Sequence, residues 1–312
     1  MKIITKLYHF FVPRRIQSII DYQRRIKWYK LSRIVESFYK RETCTLEEKK
    51  SLAYLHKNRF RLDACRLLYL SNIVDYYRLS YGRIPVFFDD KLNLPYIYHS
   101  GKRLYFPLGA GENHIRSLYA QFLSEMDTAS PHCYCNNPNE LQNRVLFDCG
   151  VAEGLFPLTY VELFEKIVLF ECSSDWMAPL QATFEPYKDK VTIVNSFVSD
   201  EVTDHSITLD YYAKINNVSP TFIKMDIEGF EERALQGASK ILEDSDDIIC
   251  SICTYHTPKA EKNVVEMMKE KGFSPTYNKG FMFFFYEKNI LPPYLRRGVV
   301  RFYKNRQKVD RK

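Results

Sequence analysis

The stretch Phe147-Asp148-Cys149-Gly150-Val151-Ala152-Glu153-Gly154 decides the fold. It follows the apolar run Val145-Leu146-Phe147 and leads into Leu155, Leu158, Val161, Leu163 and Phe164, which repeat at helical spacing. A strand, a tight acidic Gly turn and a helix open the nucleotide site of a doubly wound α/β domain. The turn reads D-x-G-x-x-x-G and lacks G-x-G-x-x-G. In dinucleotide binders the middle glycine lets the backbone approach a pyrophosphate. Its absence points to a ligand with an adenosine and no pyrophosphate, and it disfavours a nicotinamide-dependent enzyme. S-adenosylmethionine (SAM) has that chemistry.

From Val145 onward, strand and helix patterns alternate. Strands are predicted at 145–148, 167–171, 191–195, 221–226 and 247–253. Helices are predicted at about 152–164, 175–186, 230–243 and 259–271. This alternation implies a mostly parallel sheet covered on both faces. Gly272-Phe273-Ser274 and Phe281 to Tyr286 read as a final antiparallel hairpin. Upstream, residues 84–108 read as extended segments with turns at Pro85, Pro95 and Gly101. Glu112–Leu123 reads as a helix, and the Pro/Asn-rich run 130–139 as a loop. Thr45 and Glu48 have the spacing of a helix-capping pair. The domain assignment is a basic helical N-terminal region at 1–83, a nucleotide-fold domain at 84–287 and a basic C-terminal tail at 288–312.

The net charge of +7 hides an asymmetry. Residues 1–41 hold 11 Lys/Arg against 2 Asp/Glu, giving +9, and residues 288–312 hold 9 against 1, giving +8. The middle is therefore +7 − 9 − 8 = −10. Ile3, Leu7 and Phe10 beside Lys2 and Lys6 have amphipathic spacing, as do Ile16, Ile19 and Ile20. Basic tails of this kind suit a membrane surface, nucleic acid or a polyanionic partner, or they are solvated faces that pack and solubilise the ends. No apolar run is long enough to span a bilayer. The short apolar start before Pro13-Arg14-Arg15 has no small-residue cleavage site, so export is not expected. The expected location is cytoplasmic, either free or in peripheral contact with the inner face of the membrane. No specific nucleic-acid contact is expected.

Eight cysteines lie scattered without a disulfide framework. His132-Cys133-x-Cys135 and Cys250-x-x-Cys253-x-x-His256 have spacings that raise zinc. However, Cys250 and Cys253 fall on a predicted strand, where residues three apart face opposite sides, so they read as core thiols.

Three segments carry chemistry. Glu171 ends the second strand about 20 residues after the Gly turn, where such folds hold a ribose diol. Asn195-Ser196-Phe197-Val198 follows the third strand, where backbone and small polar groups such as Ser196 can read an adenine edge while Phe197 or Val198 packs on its ring; the other reading is a plain strand-to-loop transition. Phe222-Ile223-Lys224-Met225-Asp226-Ile227-Glu228-Gly229-Phe230-Glu231 brings three acids to a strand end at the ligand-binding rim. Helix capping accounts for Glu231 and Glu232 better than for Asp226 and Glu228. Asp226 and Glu228 offer oxygen ligands for a divalent cation such as Mg²⁺. His256, after Tyr255 on the fifth strand, reads either as a general base or as a partly buried hydrogen-bonder.

With these segments in hand, the chain resembles the FkbM-type SAM-dependent methyltransferases over roughly residues 84–287. The likeness rests on V-L-F-D-C-G-V-A-E-G-L-F-P-L, V-L-F-E-C-S-S-D-W and F-I-K-M-D-I-E-G-F-E, with I-C-T-Y-H and S-P-H-C-Y. It implies a Rossmann-like fold and O-methyl transfer from SAM to a hydroxyl of a sugar, glycan or natural-product acceptor. Asp148, Gly150, Glu153, Gly154, Glu171, Ser196, Phe197 and Asp226 are then the cofactor-binding candidates. Asp226, Glu228 and His256 are the catalytic candidates. Val151 stands where the family usually carries Ala, and Cys172-Ser173 replaces a usual Pro context. The alternative is a non-catalytic nucleotide-fold module that docks on a membrane or polyanion through its tails.

Overall fold

The computed structural model describes residues 14–58, 68–285 and 290–304. The chain divides into two compact units. One is Met1–Asn72 with Gly280–Leu295, and the other is Ile73–Lys279 with Arg296–Lys312.

The first unit carries helices α1 (Arg14–Tyr39) and α2 (Leu46–Asn58). The predicted capping box opens α2. Thr45 N donates to Glu48 Oε2 at 2.8 Å, and Glu48 N donates back to Thr45 Oγ1 at 3.2 Å. Trp28, Val35, Tyr39, Leu55, Phe281, Phe283 and Leu295 form its apolar core. The amphipathic pattern expected at residues 1–12 lies outside the described residues, and so do the side chains of Ile16, Ile19 and Ile20.

The second unit contains α3 (Ile73–Tyr81) and a small antiparallel sheet of β1 (Phe87–Asp89), β2 (Leu94–His99) and β3 (Lys102–Tyr105). Helix α4 (Glu112–Met126) follows. The main sheet then begins with β4 (Val145–Cys149), β5 (Lys166–Phe170) and β6 (Val191–Val194), which pair in parallel with one another. A short parallel pair, β7 (Phe197–Val198) and β8 (Ser206–Ile207), comes next. Strands β9 (Phe222–Met225) and β10 (Ile249–Cys253) continue the sheet on the other side of β4. Its edge is β11 (Phe273–Tyr277) and β12 (Val299–Lys304), giving the order β11-β12-β10-β9-β4-β5-β6. Helices α5 (Leu155–Thr159) and α6 (Ser174–Phe184) lie between the first strands. Helices α7 (Leu209–Asn216), α8 (Glu231–Gln236), α9 (Ser239–Asp244) and α10 (Ala260–Glu270) complete the crossovers.

Strand alternation sends side chains to two cores. Leu146, Ile167, Leu169 and Phe222 pack with α4, α5 and α6 residues on one face. Phe147, Val168, Phe170, Ile223 and Met225 pack with α7, α8, α9 and α10 residues on the other. This is the doubly wound arrangement predicted from the alternation. The chain winds outward from β4 to β6, then returns to place β9 on the opposite side. The C-terminal ends of β4 and β9 thus form the switch point where such sheets bind ligands.

The five parallel strands fall where the sequence pattern puts them. Three expectations change. The helix predicted at 152–164 is only Leu155–Thr159, where the Thr159 hydroxyl bonds back to Leu155 O at 2.7 Å. The helix predicted at 230–243 breaks into α8 and α9 at Gly237, where a Cβ would lie 2.1 Å from Ser199 O. The final antiparallel pair exists, and β11's partner in it is Val299–Lys304. The segment read as a basic tail therefore supplies a strand inserted beside β10. Its Arg301 is buried and ion-paired with Glu140. Among the described residues no helix is long and apolar enough to cross a membrane.

Candidate functional site at the switch point

The Gly turn after β4 is built on three backbone facts. Gly150 has φ +78, Ala152 has φ 49 and Gly154 has φ 80. Gly154 caps α5 in the left-handed conformation. Gly150 N donates to Phe170 O at 2.9 Å, which ties the turn to the end of β5. Val151, the larger residue at an Ala position, points into the core beside Leu155 and Phe156 and does not crowd the turn.

Glu171 stands at the end of β5 and lines the cleft. Its two carboxylate oxygens are held by backbone donors, Ala152 N at 2.8 Å and Ser173 N at 2.7 Å. The side chain is thus fixed in the turn, with lone pairs left over for a ligand. Asn195 Nδ2 secures the Glu171 carbonyl at 2.9 Å. The cleft has a volume of about 450 Å³ and is lined by Gly150, Glu171, Ser196, Phe197 and Asp226, with Trp176 and Phe230 adding aromatic surface. Phe197 is 54% exposed and Phe230 is 48% exposed, so both carry uncovered rings at its rim.

Three cofactor candidates do not line this cleft. Asp148 lies wholly buried beneath the turn, with Oδ1 2.9 Å from Lys224 Nζ. Burial lifts its pKa to about 6 against the pull of Lys224. Its role is to hold Lys224, which donates to Gly150 O at 2.6 Å and so supports the turn from below. Gly154 serves the turn's geometry, since a Cβ there would lie 2.7 Å from the Phe184 ring. Glu153 turns into an adjoining recess of about 80 Å³ beside Phe122, Met126 and Tyr134, which shares Gly150, Ala152 and Asp226 with the cleft.

Burial raises Glu153 to about 8, so this carboxyl is protonated at neutral pH. An acid raised in the folded state stabilises the fold most below its ordinary pKa, and that contribution is lost as pH rises through 8. Glu153→Gln keeps the shape and removes the titration. It should match the wild type near pH 5 and exceed it by roughly 2–4 kcal/mol near pH 9. Thermal melts across that range check this. A constant difference at all pH values would mean that Glu153 does not ionise in this window.

Asp226 follows β9 and is the hub of the site. Tyr134 OH donates to its Oδ2 at 2.8 Å, and Tyr255 OH reaches Oδ1 at 3.1 Å. His256 Nε2 lies 3.3 Å from Oδ1 and His132 Nε2 lies 3.7 Å from Oδ2. Burial opposes the charge on Asp226, but His256, His132 and Lys224 outweigh it and hold the carboxyl far below its usual range. For Lys224, burial disfavours the ammonium, yet Asp148 and Asp226 raise its pKa above the ordinary value.

His256 corrects the base expectation. Its ring sits between two acids, with Nδ1 2.9 Å from Glu231 Oε1 and Nε2 facing Asp226. Burial lowers its pKa, but these acids raise it to about 10 overall. It is therefore an imidazolium at neutral pH that neutralises the acids, and it stands behind Asp226 rather than in the cleft. Glu231 also caps its turn, accepting from Ile227 N at 3.0 Å and Gly229 N at 3.4 Å, as its position predicted. Glu228 lines the mouth of the cleft with its side chain 91% exposed. Its carboxylate lies 3.7 Å from His256 Nε2, which stands between it and Asp226, so the two acids meet through that ring and do not form the joint oxygen site of the Mg²⁺ expectation. Tyr134, Tyr255, Trp176, Phe230 and Lys224 were not anticipated. All five lie in the segments that carry the resemblance, but only the position of Lys224 opposite Asp148 points to a contact, and it depends on the strand register.

Several solved structures are similar to this chain. A methyltransferase FkbM from Methylobacillus flagellatus KT is 15% identical, with 80% of this chain and 65% of that one covered and a TM-score of 0.41. A precorrin-6y C5,15-methyltransferase from Geobacter metallireducens GS-15 is 12% identical, covering 54% of this chain and 85% of that one at a TM-score of 0.37. Magnesium protoporphyrin IX methyltransferase from Synechocystis PCC 6803 is 14% identical, covering 53% and 72% at 0.35. The chain thus spans 65% of the length of the first of these. No curated protein matches it. The model of the methyltransferase FkbM domain matches residues 131–275. That segment, which holds the Gly turn, Glu171 and Asp226, is a methyltransferase FkbM domain.

Proposed function

We propose that this protein transfers a methyl group from SAM to a hydroxyl of a sugar, glycan or natural-product acceptor. The observation that carries the reading is Glu171, whose carboxylate is locked by two amides of the turn region at the wall of a 450 Å³ cleft. That volume falls in the range of small-molecule sites, about 300–1,000 Å³. The donor set also fits the cofactor. A fixed carboxylate suits a ribose diol, and Trp176, Phe197 and Phe230 offer flat apolar surface for a purine. SAM, when bound, supplies an electrophilic methyl carbon on a sulfonium.

The protein's own contribution is then positioning and charge. Asp226 accepts a hydrogen bond from the acceptor hydroxyl and fixes its direction, with Tyr134 and Tyr255 holding the carboxylate in place. Holding two reactants in line removes much of the barrier by itself. Because His256 already carries its proton, it acts on Asp226 and not on the acceptor. Glu228, at the cleft mouth and open to water, is the group that can pass the acceptor proton outward.

Calorimetric titration with SAM and S-adenosylhomocysteine tests the cofactor. Glu171→Ala should weaken binding by about 1–3 kcal/mol through lost charged hydrogen bonds. Unchanged affinity would remove the ribose assignment, and no binding by the wild type would remove the reading. Transfer of labelled methyl from SAM to a panel of glycans and hydroxylated scaffolds tests the acceptor class. Co-purifying SAM or S-adenosylhomocysteine, read by mass spectrometry, separates this enzyme from a non-catalytic module.

A further inference from the structure

Three ligand-type atoms converge beneath the cleft from distant parts of the chain. They are His132 Nε2 from the loop after α4, an Asp226 carboxylate oxygen after β9, and Cys253 Sγ at the end of β10. We propose that they form a binding site for a zinc-class divalent ion.

The spacing fits. His132 Nε2 lies 3.7 Å from Asp226 Oδ2 and 3.8 Å from Cys253 Sγ, and all three atoms lie within 4.8 Å of one another. Bond lengths of about 2.0–2.3 Å to a tetrahedral ion put neighbouring ligand atoms about 3.5 Å apart. The second acid–histidine group, Asp226, Glu231 and His256, is different. Its His256–Glu231 contact of 2.9 Å is that of two groups in direct contact, with no room for an ion between them.

The chemistry of the donors also fits. One imidazole, one thiol and one carboxylate are the ligand types zinc prefers, and three protein ligands leave a fourth position open. His132 is 1% exposed and presents Nε2 to both of the other donors. Tyr134 OH on Asp226 Oδ2 and Tyr255 OH on Oδ1 supply the outer hydrogen bonds that orient a ligating carboxylate. Tyr255 and Asp226 also line the cleft, which puts this cluster against its wall.

On binding, the thiol proton and the ion's waters pass to solvent. The ion replaces the 3.2 Å contact between His132 Nε2 and Tyr255 OH. In the proposed reaction it would polarise the acceptor hydroxyl beside Asp226. That role rests on the methyl-transfer reading, whereas the binding itself does not.

Cobalt substitution of the full-length protein reads the site directly. The wild type should bind one Co²⁺ with a thiolate-to-metal charge-transfer band and the strong visible bands of a tetrahedral site. It should retain about one zinc per chain after dialysis. Cys253→Ser should abolish the charge-transfer band and weaken zinc binding about a hundredfold, while the surface variant Cys172→Ser keeps both. If Cys253→Ser does not fold, His132→Gln should lose the tetrahedral spectrum in its place. A wild type with less than about 0.1 zinc per chain and only weak octahedral cobalt bands would overturn the proposal. So would a charge-transfer band that survives in Cys253→Ser. SAM titration of the same samples reports on the cofactor site separately.

Discussion

Gly150→Ala should destabilise the second unit by about 3 kcal/mol or more and abolish SAM binding. Two costs combine. The position has φ +78, where an L side chain is strained by about 1–2 kcal/mol. The added Cβ would also lie 1.9 Å from Asp226 O and 2.8 Å from Asp226 C, which are backbone atoms with no rotamer to relieve them. Asp226 N is itself bonded to Cys149 O at 2.9 Å, and Lys224 holds Gly150 O at 2.6 Å. Relief therefore requires the ends of β4 and β9 to separate, which moves Glu171's amide partner and the Asp226 hub together. Gly101→Ala isolates the first cost, because Gly101 has φ +81 with nothing within 4 Å of its Cβ. For a domain of this size the melting temperature should fall roughly 6–12 °C in Gly150→Ala and only about 2–5 °C in Gly101→Ala. Equal shifts in the two variants would mean that the close approach to Asp226 is not what demands glycine.

The parallel strands and the acids at their ends were legible because they depend on local pattern. An apolar run before Asp148, another before Glu171 and a third before Asp226 each carry their own signal. The parts that were not legible depend on pairing across the fold. Val299–Lys304 reads as tail because Arg301 and Lys304 add to a charge count. In the structure Arg301 meets Glu140, and Lys304 Nζ donates to the carbonyls of Leu242 and Glu243. A count of charges cannot see such partners. The same holds for His256. Its position at the strand rim was readable, but its proton is set by Asp226 and Glu231, which the turn after β9 folds onto opposite nitrogens of the ring. His132 and Cys253 appeared in two separate zinc-like spacings, and neither spacing is the one that brings them together. Cys250, three residues before Cys253, faces the opposite core, as strand geometry requires.

Lys224→Met should cost about 3–5 kcal/mol near pH 8, because it leaves a buried carboxylate without its counter-charge. Lys224 and Asp148 are register partners on neighbouring parallel strands, and both are shut off from solvent. The same ammonium holds Gly150 O and lies 5.1 Å over the Tyr134 ring, so its loss also loosens the turn. The pH dependence separates these effects. Asp148 already has a folded pKa of about 6, above its ordinary 3.8, so its contribution to stability is full at low pH and is lost as pH rises through 6. Without Lys224 that folded pKa rises further, and the penalty continues to grow at higher pH. The gap between Lys224→Met and the wild type should therefore be small near pH 4 and widest near pH 8. Adding Asp148→Asn removes the stranded charge, so the double variant should recover most of the loss near pH 8. A double variant no more stable than Lys224→Met alone would show that the Gly150 contact, and not the ion pair, carries the cost. The recovered double variant also decides what Asp148 does for the ligand. If Asp148 only holds Lys224, SAM affinity should follow the integrity of the turn. A folded double variant that still fails to bind SAM would return Asp148 to the list of direct cofactor contacts.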